Sequence, residues 1–452
     1  MCIRRISSVI PLKCVVQTAI CRCHNRRQSD PVTDLLPLSA LDAEFAAAEN
    51  IYLPGSMAES PALRDYLVRN PGLLAQKTIY GVWIAGINAF DYSGLHPSAR
   101  NVAYFTGPAL DDGIRSGRTR LLSLSFSQIY RHLATEAPLD TAFLHVSPPD
   151  EQGRCSYGGC SDFGPAAHGR AKRRVGLVNR NLPHTFGSAW APADSFDLLV
   201  DATGPVHTLP VSEPNEVTRA IGGHVASLVR NGDQLQLGIG SMQAAVFQAL
   251  AQHRDLTIHS GMISDAVMDL EASGALANRE GVVRTGIVAG DLPLMRWIDR
   301  NPKVHMVPVS ETHEPGALLG RENFVAINSA LEVDLLGQVN AEARGGRIIS
   351  SSGGLTDFIR MAGFSPGGRP VVALGSTAAR GRLSRIIPTL APGVPVGVVK
   401  SDPLIVVTEH GVADLRGLGF DEKAAALIAV AAPDHRDALS KGWADLRQQL
   451  FG

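Results

Sequence analysis

The chain has 452 residues, of which 45% are hydrophobic and 19% charged, with 45 glycines, 28 prolines and a formal net charge of −1. That length predicts two or three domains, each large enough to bury a core. The balanced charge gives no electrostatic case for nucleic acid or an acidic membrane surface, and no apolar run is long enough to span a bilayer.

Residues 1–30 contain Cys2, Cys14, Cys21 and Cys23, and no acidic residue precedes Asp30. The segment reads as a disordered basic leader, although its basic and apolar mixture also imitates a targeting peptide. Cys21, Cys23 and His24 form a C-x-C-H too sparse to specify a metal site, and no metal is expected. Only Cys155 and Cys160 lie in the body of the chain. Without a histidine at ligand spacing they read as structural thiols, and a reducing cytoplasm fits such cysteine usage.

From residue 50 onward, "TIYGVWIAG", "NVAYFTG", "RLLSLSF", "TAFLHVS", "VGLVNR" and "DLLVDA" read as buried strands, being apolar, β-branched and closed by Gly, Ser or Asp. "SPALRDYLVRN" and "SQIYRHLATE" have helical spacing. A second series follows the link "TLPVSEPNE". It runs helix "EVTRAIGGHVASLVRNG" with Gly232 as its stop, strand "DQLQLGIG", helix "SMQAAVFQALAQH", strand "LTIHS" and helix "SDAVMDLEASGAL". The strands "VHMVPVS", "FVAINSALEVDL", "RPVVALGS", "VPVGVVKS" and "LIVVTEHG" precede a helical C-terminus. The alternation predicts an α/β protein of two open-sheet domains of similar size, residues 31–210 and 211–452.

Ligands of open α/β sheets sit at the carboxyl ends of strands. There "LGIGSMQ" offers Gly238, Gly240, Ser241 and Met242 ahead of a helix, a turn that admits close backbone approach of an anion. A dinucleotide fingerprint fails because Gln243 stands where the third glycine belongs, which sets a nucleotide-dependent oxidoreductase aside. Gly353 and Gly354 in "SSSGGLTDF" are a second source of backbone donors for an oxyanion. Glu409 and His410 close the last strand, with Asp414 and Arg416 nearby; a surface salt-bridge cluster is the bland alternative.

The segments "GSMAESPAL", "HVSPPDEQGRCSYG", "EPNEVTRAIGGHVASLVRNGDQLQLGIG", "SDAVMDL", "INSALEVDLLGQVNAE", "SGGLTDF" and "TEHGVADLRG" occur in this order between about residues 45 and 445. Together they resemble the acetyl-CoA hydrolase/transferase family, which includes the 4-hydroxybutyrate CoA-transferases. The resemblance implies a thioester bound between two α/β domains and no bound cofactor, with coenzyme A as substrate and product. It implies an acyl-CoA and a small carboxylic acid as partners, and a homodimer. It also implies covalent transfer through a glutamate, which attacks the acyl carbonyl and then carries CoA as a thioester.

The family's glutamate lies in a segment of the form H-T-E-M-F-S-D, matched here by "HSGMISD", so Gly261 occupies its position. A second departure places His313 where the family tends to have asparagine. An imidazole is the natural base for activating water, and the volume freed at Gly261 is expected to hold that water. His313 is therefore the expected base, with Glu314 or Glu409 orienting it. His259, Ser260, Met262 and Asn328 are assigned to the substrate pocket, and Met242, Met262 and Ile263 would suit a short or medium apolar acyl group. Ser260 is a weaker candidate nucleophile, having no elbow motif. Glu332 is a poor substitute carboxylate, since the family shares its segment alongside its own glutamate. The expected activity is CoA transfer or thioester hydrolysis by an altered route; the alternative is a catalytically silent acyl-CoA-binding protein or partner subunit.

Overall fold

The computed structural model describes residues 35–210, 213–318 and 320–452. The leader, with Cys2, Cys14, Cys21, Cys23 and His24, lies outside the described residues. In chain order the main strands are β1 (Asn50–Tyr52), β2 (Thr78–Gly81), β3 (Arg100–Ala103), β4 (Thr119–Leu121), β5 (Thr141–Val146), β6 (Arg173–Val178), β7 (Phe186–Gly187) and β8 (Leu198–Asp201). They continue with β9 (Gln234–Leu237), β10 (Thr257–Ile263), β11 (Val283–Val288), β12 (Val304–Met306), β13 (Phe324–Ser329), β14 (Arg369–Ala373), β15 (Ile405–Thr408) and β16 (Gly411–Asp414).

The first sheet has seven parallel strands in the order β8-β6-β5-β1-β2-β3-β4. The second has nine, β16-β15-β14-β13-β9-β10-β11-β12-β7, all parallel except for the terminal β15–β16 hairpin. The open α/β architecture expected from the alternating pattern is the one observed. Parallel strands covered on both faces need apolar residues at nearly every position, and all six residues of "TAFLHV" in β5 are buried. One continuous apolar cluster runs from Tyr52 and Leu144 beside the first sheet to Leu235 and Ile287 in the second, so the two sheets share a core.

Three departures from the sequence reading have simple causes. "VPVGVVKS" forms no strand beyond an isolated bridge from Val398 to Val339; Pro395 lacks the N–H a ladder requires, and Val396 and Val399 are exposed. "NIY" and "VRTGIV" are strands β1 and β11 although neither was predicted, one being short and the other carrying Arg, Thr and Gly among its valines. β10 does not stop at Ser260 but continues to Ile263, so Gly261 lies inside the strand.

The carboxyl ends of β9, β10 and β13 converge where the chain order reverses across the second sheet, and the first sheet closes over them. Asp357, in the helix Leu355–Phe364, accepts hydrogen bonds from Ser125 Oγ at 3.1 Å, Ser127 N at 3.1 Å and Ser127 Oγ at 2.9 Å. Phe126 N donates to Gly353 O at 3.1 Å. These contacts pin the glycine turn of one half to the start of a helix in the other. Among the described residues no helix is long and apolar enough to cross a membrane, and no cluster of His, Cys, Asp and Glu is placed to hold a metal ion.

Candidate active site

A cavity of about 220 Å³ lies at these strand ends. Gln236, Leu237 and Gly238 reach it from the end of β9, Gly261 and Met262 from β10, and Asn328 from β13. Ile84, Phe105 and Phe126 come from the first half of the chain, while Ser350 to Phe358 supply the facing turn and helix. Asn328 Nδ2 donates to Gln236 Oε1 at 3.0 Å, which fixes both amides on the floor. Gly354 is the N-cap of the ten-residue helix that follows, so its positive end borders the cavity.

His313 is the centre of this arrangement. The short helix Val309–Thr312 ends at it, and the ring is 1% exposed. Phe358 and Phe126 pack against the imidazole with centroid distances of 4.4 and 4.9 Å, and Thr312 Oγ1 lies 2.7 Å from Nδ1. The other edge of the ring sits between two glycines. A Cβ on Gly261 would lie 2.6 Å from Cε1 and 2.9 Å from Nε2, and one on Gly354 only 2.5 Å from Nε2. Neither approach tolerates a side chain. Burial drives the His313 pKa down to about 3, with the neighbouring His259 acting in the same direction. The ring is therefore neutral near pH 7.

The expectation that the volume freed at Gly261 holds water is thus corrected: the imidazole of His313 fills it. The orienting group is corrected too. Thr312, not Glu314 or Glu409, holds Nδ1. Glu409 is absent from the cavity lining; its carboxylate accepts Ser376 N at 2.8 Å and Ser376 Oγ at 2.7 Å.

The remaining predicted residues divide. Gly238, Gly261, Met262, His313, Asn328, Gly353 and Gly354 come together at the cavity, and Gly240, Ser241, Met242, His259, Ser260 and Ile263 are not among its lining. Gln243 explains part of this. Its amide folds back within 3.5 Å of the Cβ position of Gly238 and 3.4 Å of that of Gly240, donating to Ser329 Oγ at 2.9 Å. Ser260 is fully buried, and its hydroxyl is spent on Leu237 O at 2.5 Å and Met262 O at 2.8 Å, so it is no nucleophile. His259 is fully buried with neither ring nitrogen partnered. Phe105, Phe126, Phe358, Gln236 and Thr312 escaped the sequence reading. Only Thr312, adjacent to His313, carried a local signal.

Two parallel-sheet halves closing on a cavity at their strand ends define an α/β enzyme whose site is built from both. The chain belongs to the acetyl-CoA hydrolase/transferase family. That family's C-terminal domain model matches residues 290–443. The 4-hydroxybutyrate coenzyme A transferase of Clostridium kluyveri is 35% identical over 390 residues, covering 85% of this chain and 91% of that protein. RipA from Yersinia pestis superposes with a TM-score of 0.82 at 29% identity, over 91% of this chain and 97% of that one. A 4-hydroxybutyrate CoA-transferase from Porphyromonas gingivalis gives a TM-score of 0.73, also at 29% identity, over 91% and 96% of the two chains.

Proposed function

We propose that this enzyme hydrolyses short, uncharged acyl-CoA thioesters at the Gly261–His313–Gly354 cavity, without the glutamyl-CoA intermediate of transfer. One observation carries the reading: the 16 residues lining the cavity include no Asp or Glu, and His313 is the sole titratable side chain among them. Covalent CoA transfer needs a carboxylate nucleophile; general-base hydrolysis needs an uncharged imidazole and a polarised carbonyl.

In this reading neutral His313 Nε2 takes a proton from water as the water oxygen bonds to the thioester carbon. Backbone N–H groups around Gly353 and Gly354, at the helix N-terminus, bear the oxyanion charge. The C–S bond then breaks, and the imidazolium returns its proton to the departing thiolate, leaving a carboxylic acid and free CoA. A base with so low a pKa is slower than one poised near neutrality, but its conjugate acid protonates a leaving group readily. The substrate preference rests on the walls. Phe105, Phe126 and Phe358 are apolar, and no Arg or Lys lines the cavity to pair with a charged acyl end.

A homodimer accords with the family resemblance. Free, buried Cys155 and Cys160 accord with a reducing cytoplasm. The test is thiol release from acetyl-, butyryl- and succinyl-CoA, with and without added acetate. Acceptor-independent release that His313→Ala abolishes is the expected result. Acceptor-dependent formation of a new thioester would mean that transfer survives. CoA-ester stabilisation without turnover would favour the silent binding protein.

A further inference from the structure

At the amino ends of β9 to β12, across the second sheet from the thioester cavity, a separate cavity of about 430 Å³ opens. Its polar lining includes Gln234, Thr257, Arg279, Arg284, His305 and Arg321. Arg284 Nη2 is paired with Glu311 Oε2 at 2.5 Å, but its Nε is buried with no partner. Arg321 donates Nη1 to Gln234 Oε1 at 2.8 Å and Nε to Ala317 O at 3.3 Å. Burial and the positive charge of Arg284 both push the Arg321 pKa down, so the two guanidiniums repel one another.

Next to them, in register with Arg284 across β10 and β11, lies His259, fully buried and with both ring nitrogens unpaired. The carboxylates facing the group are Glu311, already held by Arg284, and Glu280, which is 72% exposed and 3.4 Å from His305 Nε2. Three guanidiniums thus meet two carboxylates, one of them largely in water. Repelling guanidiniums with too few carboxylates around them are the electrostatic situation that an oxyanion relieves, and guanidinium groups match phosphate geometry.

We propose that this cavity binds a phosphate group, free or carried by a nucleotide, with the guanidiniums of Arg284 and Arg321 as its main contacts and Arg279 at the rim. The site is distinct from the thioester cavity and its occupancy does not depend on the chemistry proposed there.

The experiment is calorimetric titration of the full chain with inorganic phosphate and, separately, with adenosine 3′,5′-bisphosphate. Saturable binding is expected, weakened at least tenfold by Arg321→Gln and severalfold by Arg279→Ala. Arg279 is exposed, so its variant keeps the test valid if Arg321→Gln fails to fold. Arg230→Ala, in a different basic cleft, should leave binding unchanged. Tighter, Arg321-dependent binding of the bisphosphate supports the site and assigns a nucleotide as the source; equal affinity supports it and assigns free phosphate. Absence of saturable binding by either probe, or equal loss in Arg230→Ala, overturns the proposal.

Discussion

Replacing Gly261 with alanine tests the shared volume directly. Its φ lies outside the left-handed region, so the backbone accepts alanine and only the surroundings resist. The new methyl would sit 2.6 Å from His313 Cε1, about a full ångström inside ordinary carbon contact. The imidazole cannot retreat, because Gly354 closes the opposite side and Phe126 and Phe358 hold its faces. Overpacking of this kind costs about 1–3 kcal/mol. His313→Ala alone costs about 2–4 kcal/mol by opening a cavity. With both substitutions the methyl enters the emptied space, and the penalty at residue 261 falls to near zero. The double-mutant cycle should therefore give a coupling of about 1–3 kcal/mol. Urea unfolding of the four proteins, compared at matched m-values, measures it. Costs that add to within about 0.5 kcal/mol would refute the claim that the two residues compete for one space.

Gly261→Glu combined with His313→Ala should restore acceptor-dependent CoA transfer and a trappable glutamyl-CoA; no exchange between acetyl-CoA and propionate would show that residue 261 is misaligned for attack. Hydrolysis should be flat between pH 5 and 8, because His313, at about 3, stays neutral throughout, whereas a tenfold fall per unit below pH 6.5 would indicate an ordinary histidine. The same shift bears on stability. His259 and His313, both about 3 when folded against 6.5 unfolded, leave the folded chain with fewer protons, so their contribution to stability is full above pH 6.5 and is lost as pH falls toward 3. Unfolding midpoints measured from pH 7.5 down to 5 should decline accordingly. Thr312→Val should lower kcat about tenfold with KM little changed, and Thr312→Ser should rescue it, if the hydroxyl fixes the tautomer of His313; equal loss in both would mean packing alone. Arg369→Met leaves Asp233, 2.7 Å away and almost fully buried, without its cation. That should cost about 3–5 kcal/mol in chemical unfolding, and a loss under about 1 kcal/mol would show the pair to be solvated.

The strands are legible where apolar residues dominate a short run, as in "TAFLHV" and "RPVVA", because a parallel sheet covered on both faces imposes that composition. "VRTGIV" was not, since Gly286 interrupts the run. The Cβ position of Gly286 lies 3.4 Å from both Gly261 O and Val307 O, a close backbone approach that no periodicity signals. The glycine turns Gly238 and Gly353–Gly354 were found through their strand-end position. Gly240 to Met242 share that sequence position but do not line the cavity, and the Gln243 amide folds back against Gly240.

Sequence alone determined the alternation of strand and helix, the family, and the absence of a carboxylate at residue 261. It also marked His313 as the unusual residue. Only the folded chain decided what that pairing means, because Gly261, His313, Gly354 and the three phenyl rings come from segments far apart along the backbone. Steric exclusion is a property of atoms in space rather than of spacing in sequence. Two missing side chains are what let one imidazole stand, neutral and almost wholly buried, in the floor of the site.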